Sequence, residues 1–120
     1  MPHLTLEYSS NLNHLDPQAS LNAINRTLVA SGQFEELDIK SRALKFDDFV
    51  IGNQHTGHAF AHAKLAILTG RSADTKRALS EQVLATLQSS MPEHVGLAIQ
   101  LCVEIVEIER ESYTKAVVSS

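Results

Sequence analysis

Two successions of strand, helix and strand, one in each half of the chain, restrict what this sequence can fold into more than any other feature. In the first half Leu4, Leu6 and Tyr8 alternate with Thr5 and Glu7, which is the period of a strand. Asp16-Pro17 then opens a helix: Asp caps free N–H groups and Pro suits the first helical position. Leu21, Ile24 and Leu28 follow at helical spacing, and Gly32 closes the segment. A second strand covers 39–46, with Lys40, Arg42, Leu44 and Phe46 on one face.

The second half repeats the order. In 57–68, Ala59, Ala61, Ala63, Leu65 and Ile67 alternate with His58, Phe60, His62 and Lys64. The alanines also suit a helix, and the alternation favours a strand. Ser72 caps a second helix whose stripe is Leu79, Val83 and Leu87, widened by Leu84, with Arg77, Glu81 and Gln88 facing solvent. Met91-Pro92 stops it, and 97–105 forms a last strand with its apolar face at odd positions. From about Glu109 the apolar pattern thins, and 109–120 reads as a tail or arm. The expected fold is α+β: two β-α-β units forming a four-stranded sheet with two helices on one face. Leu44, Phe46, Phe60 and Leu68 fall on the uncovered face, which implies an oligomer.

Composition narrows the class. A chain of 120 residues fits one domain over 1–120. Aromatic residues make up 5% and Trp is absent, so the core is aliphatic. A formal net charge of −4 without a basic block disfavours nucleic acid. No apolar run reaches membrane-span length and no secretory pattern opens the chain, so no membrane partner and a cytoplasmic location are expected. The single Cys102 lies in an apolar run and is expected to be a buried, inert thiol. His55, His58 and His62 invite a metal reading. On a strand, however, His58 and His62 stand roughly 13 Å apart at ~3.3 Å per residue, too far for one zinc, and no metal site is expected.

Pro2 is the candidate catalytic group. Removal of Met1 would leave a secondary amine on a rigid strand, where burial favours its neutral, basic form. The plain alternative is a residue at an ordinary terminus. Lys40 and Arg42 beside apolar neighbours read either as cations reaching water at the strand end or as an anion site.

The Met1-Pro2-His3 start, Ser41-Arg42 early in the second strand, Ala59 to Leu65 (AFAHAKL) in the third, and Gly70-Arg71-Ser72 opening the second helix come in a familiar order and spacing. Together, from Met1 to about Glu109, they resemble the 5-carboxymethyl-2-hydroxymuconate isomerase family of the tautomerase superfamily, whose members use an amino-terminal proline. The resemblance implies a cofactor-free isomerase that assembles as a homotrimer, with active sites near subunit boundaries. It also implies a small unsaturated carboxylate as substrate, from the breakdown of aromatic acids such as homoprotocatechuate. Pro2 matches the catalytic base and Arg71 a substrate-binding arginine. The family's Arg-Ser-Arg run is Lys40-Ser41-Arg42 here, so Lys40 takes the first ligand position and Arg42 the second. Lysine offers a point charge where arginine offers a planar fork, which bears on the choice of substrate. A catalytically silent carboxylate-binding trimer and a tautomerase for another 2-oxo acid are the alternatives.

Overall fold

The structure is a computed structural model that describes residues 1–53, 56–93 and 95–119. Four strands and two helices alternate along it: β1 (His3–Ser9), α1 (Pro17–Ala30), β2 (Lys40–Phe46), β3 (His58–Leu68), α2 (Ala73–Ser89) and β4 (Ala98–Ile108). The sheet order is β2-β1-β3-β4. β1 and β2 are parallel, as are β3 and β4, and β1 meets β3 antiparallel at the centre. The two β-α-β units expected from the repeated sequence order are present, and they join through their first strands.

Local chemistry accounts for the helix boundaries. Asp16 accepts from the Ala19 N–H at 3.1 Å and Pro17 begins α1. Ser72 accepts from the Thr75 N–H at 3.1 Å and begins α2. Each side-chain oxygen satisfies a first-turn donor that has no partner within the helix. Gly32, with φ of 76°, turns the chain out of α1 in a conformation that side-chain-bearing residues rarely adopt.

Both helices cover the same sheet face. Leu4 and Leu6 of β1 and Ala61, Ala63 and Leu65 of β3 are fully buried beneath Ile24, Leu28, Val83 and Leu87. The alanines of β3 leave room for the helices to lie close to the sheet centre. The helices meet each other through small polar residues: the hydroxyls of Thr27 and Thr86 lie 2.6 Å apart and Ser20 donates to Ser90 at 3.1 Å.

Two sequence expectations are corrected. Leu84 does not widen the buried stripe of α2, since it is 37% exposed. It follows Val83 by one residue, a rotation of roughly 100° about the helix axis, which carries it off the covered face. Cys102 is exposed rather than buried. Its ladder partner is His62, on the face without helices, whereas up to Ile105 the half-buried residues of β4 are the odd-numbered ones.

Candidate active site

One end of the sheet, where β1 and β2 begin and β3 and β4 finish, gathers the amino terminus, the entry to α2 and the chain beyond β4. Pro2 is fully buried there, and its carbonyl accepts from the Lys40 N–H at 3.1 Å, which opens the β1–β2 ladder. Strand pairing thus fixes the backbone on which any amine at Pro2 would sit. Met1 lies at the surface of this end. Its ammonium donates to the Asp38 carbonyl at 3.1 Å and stands 3.7 Å from the Asp38 carboxylate. Asp38 belongs to a single 3-10 turn over Glu36–Asp38 that leads into β2.

A cleft of about 290 Å³ opens beside Met1, lined among others by Gln33, Phe34, Asp38, Arg71 and Arg110. Arg71 is firmly held in it. Its Nε donates to the Gln33 side-chain oxygen at 3.0 Å, Nη2 to the Gln33 carbonyl at 3.1 Å, and Nη1 to the Leu68 carbonyl at 3.5 Å. The guanidinium carbon lies 4.7 Å from the centre of the Phe34 ring, a cation–π arrangement that orients its plane.

Lys40 and Arg42 sit elsewhere. Both project from β2 on the helix-free face, opposite His3 and Thr5 in the β1 ladder, and neither lines the cleft. Arg42 bonds the Nδ1 of His3 at 2.9 Å, and Tyr113 bonds the Nε2 of the same ring at 3.0 Å. The structure therefore brings Pro2 and Arg71 to one end of the molecule and places Lys40 and Arg42 around the corner from the cleft, on the open sheet face.

The chain after β4 supplies groups that sequence reasoning missed. Residues beyond Ile108 contact the ends of β3, β1 and β2 in turn. Arg110 donates to the Thr69 carbonyl at 2.8 Å, Tyr113 meets His3, and Lys115 donates to the Asp38 carboxylate at 2.8 Å. No local motif marks these residues; only the Arg, Tyr and Lys among otherwise unremarkable tail positions hint at anchoring.

The electrostatics follow from this crowding. Burial pushes the terminal amine below its ordinary value; Asp38 opposes that shift, while Lys40 and Lys115 reinforce it. His3 is also pushed down, first by burial and then by Arg42 and Lys40. The hydrogen bond from Lys115, with the terminal ammonium, holds Asp38 below the usual carboxylate range. On the open face His62 lies 2.9 Å from Glu104 and 3.8 Å from Glu7, while His55 is outside the described residues. Among the described residues no group of three potential ligands is arranged to hold a metal ion, and no helix is long and apolar enough to cross a membrane.

A mixed four-stranded sheet built from two β-α-β units, with its first residues seated at a cleft, defines a protein of the tautomerase superfamily. The family model for 5-carboxymethyl-2-hydroxymuconate isomerase matches residues 2–118, and the chain belongs to that isomerase family. It is similar to the crystal structure of a 5-carboxymethyl-2-hydroxymuconate isomerase from Deinococcus radiodurans R1, with 29% identity over 96% of this chain and 88% of that one and a TM-score of 0.88. A crystal structure of 5-carboxymethyl-2-hydroxymuconate delta-isomerase shares the fold at 21% identity, covering 98% of this chain and 89% of that one, with a TM-score of 0.85. A fused 4-OT wild-type symmetric trimer shares it more distantly, at 17% identity over 88% of this chain and 85% of that one, with a TM-score of 0.65. No curated protein sequence matches the chain.

Proposed function

We propose that the chain, once Met1 is removed, isomerises an unsaturated 2-hydroxy or 2-oxo acid, with Pro2 as general base and 5-carboxymethyl-2-hydroxymuconate or a close analogue as substrate. The observation that carries this reading is the seat of Pro2: fully buried, pinned by the β1–β2 ladder, and joined to a Met1 that itself lines the cleft. Loss of Met1 frees a secondary amine and opens the space in front of it. That amine, kept neutral by burial, takes a proton from the hydroxyl or a carbon of the dienol and returns one to a different carbon, so the double bond moves and no atom is lost. Arg71 binds a carboxylate and steadies the negative charge that develops on the enolate oxygen. Lys40 adds positive potential from the open sheet face, and Arg42, tied to His3, is the lesser ligand. The chain works as a cytoplasmic, single-domain homotrimer that needs no cofactor, in the breakdown of aromatic acids.

A second reading has its own support. With Met1 retained, the terminal ammonium is well seated on Asp38, so the unprocessed chain has a settled end and no basic amine at Pro2. That form would be a carboxylate-binding protein. Lys40, a point charge where the resemblance implies a planar arginine, bears on the choice of substrate, and a tautomerase for another 2-oxo acid is the further alternative.

Turnover of one 2-hydroxydienoate by the Met1-retaining, processed and Pro2→Ala forms decides among these. The processed form is expected to be active, the retained form inactive because an amide nitrogen has no usable lone pair, and Pro2→Ala weakly active. Equal rates in the first two would remove the amino-terminal base. In the processed chain, Arg71→Ala is expected to lower kcat/KM roughly ten- to a hundred-and-fifty-fold, the worth of a charge-assisted hydrogen bond of ~1.5–3 kcal/mol.

A further inference from the structure

Arg71 accounts for one anionic group in the cleft and leaves a second guanidinium unexplained. Arg110 follows β4 directly and lines the same cleft. It is placed there by a reciprocal backbone contact: the Thr69 N–H donates to the Ile108 carbonyl at 3.0 Å, and the Thr69 carbonyl accepts from Arg110 Nη2 at 2.8 Å. Consecutive carbonyls, Leu68 and Thr69, therefore each accept from one of the two guanidiniums where the chain leaves β3. The next residue is Gly70, with φ of 124°, a turn that side-chain-bearing residues rarely adopt.

The two arginines differ in what they have left to give. Three of the five N–H groups of Arg71 are used within the protein, and its ring contact fixes its plane. Arg110 is exposed, uses one, and forms no ion pair among the described residues. The carboxylates nearby do not cancel it. Asp38 is occupied by Lys115, which leaves Glu35 as the other acid lining the cleft, against two guanidiniums.

We propose that Arg110 is a specificity-determining residue of the cleft, a second carboxylate anchor that makes this site select diacids over monoacids. This rests on the reading of the cleft as the substrate site. With Arg71 gripping the carboxylate next to the reacting carbons, Arg110 takes the distal one. Lys40 lies on the open face and offers a point charge, whereas Arg110 supplies a planar donor fork within the cleft itself.

The test uses two unreactive six-carbon probes of matched length, trans,trans-muconate with two carboxylates and sorbate with one. Their binding to the full chain with Met1 removed is measured by calorimetry. The chain is expected to bind muconate at least about tenfold more tightly than sorbate, as one charge-assisted contact allows. Arg110→Gln should bring that ratio towards one, and Arg110→Lys should restore part of it. A role limited to bracing Thr69 predicts instead that Arg110→Gln weakens both probes by the same factor; that result, or an unchanged ratio, overturns the proposal. So does a wild-type chain that does not distinguish the probes. If muconate is preferred and the preference depends on Arg110 while the processed chain turns over no dienol, the anchor stands and the Pro2 mechanism falls.

Discussion

Three charged side chains outside the covalent neighbourhood of the amino terminus set how basic an amine can be there. Asp38 favours the ammonium, while Lys40 and Lys115 oppose it, on top of the larger effect of burial. Asp38→Asn is therefore expected to lower the pKa of the Met1 amine in the chain that retains Met1. Lys115→Ala, which removes a cation and leaves Asp38 unneutralised, should raise it. Titration of the terminal amine by NMR reads both, and shifts of the same sign would contradict this arrangement of charges. His3 gives a second prediction. Its folded pKa lies below the ordinary value of about 6.5, so the unfolded chain takes up the proton first as pH falls. The stability that neutral His3 provides is thus present above about pH 6.5 and lost as pH falls towards the folded value. Thermal midpoints of wild type and His3→Gln should converge between about pH 7.5 and about pH 5; a constant difference would rule out His3 as the titrating group. At this scale the sequence was only partly informative. Arg71 could be singled out only through the family resemblance, in which Gly70-Arg71-Ser72 between strand and helix takes part. Arg110, Tyr113 and Lys115 could not, because their partners Thr69, His3 and Asp38 are brought near only when the last residues cross the sheet end.

The elements themselves were far more legible, because each is specified by contacts close in sequence. Asp16-Pro17 and Ser72 mark the helix starts through bonds to residues three positions on. The alternation in β3 survives the helix propensity of its alanines because Ala59, Ala61 and Ala63 share the face beneath the helices and are fully buried. What periodicity could not supply was the width of the buried face, which depends on how neighbouring elements pack. Leu84 and Cys102 mark those limits, one at the rim of α2 and one on the bare side of β4. Stability measurements should reproduce the distinction. Leu65 is fully buried at the sheet centre, and Leu65→Ala is expected to cost about 2–5 kcal/mol in urea unfolding. Leu84→Ala should stay within about 0.5 kcal/mol of wild type, as exposed positions do. Comparable losses at the two sites would mean that a further surface covers Leu84.

At the scale of the whole molecule, the sheet has helices on one side only. The other side carries Leu44 at 50% exposure and Phe46 at 37%, beside the His62–Glu104 pair and an exposed Cys102. Leaving such apolar surface in water is unfavourable by roughly 25 cal/mol per Å², and burying it against further copies of the same chain removes that cost. Self-assembly through this face would bring Lys40 and Arg42 up to a neighbouring subunit. Light scattering at micromolar concentration is therefore expected to give three times the 13.2 kDa chain mass. Leu44→Asp places a charge on the surface to be buried and should shift the population towards smaller species. Cys102 offers an independent reading of the same equilibrium, because its thiol is accessible on a lone chain and shielded if the open faces meet. Thiol labelling should be slow in the wild-type assembly and faster in Leu44→Asp. A wild-type chain that scatters as a monomer and labels at the rate of a free thiol would show that the open face is used for something other than self-assembly.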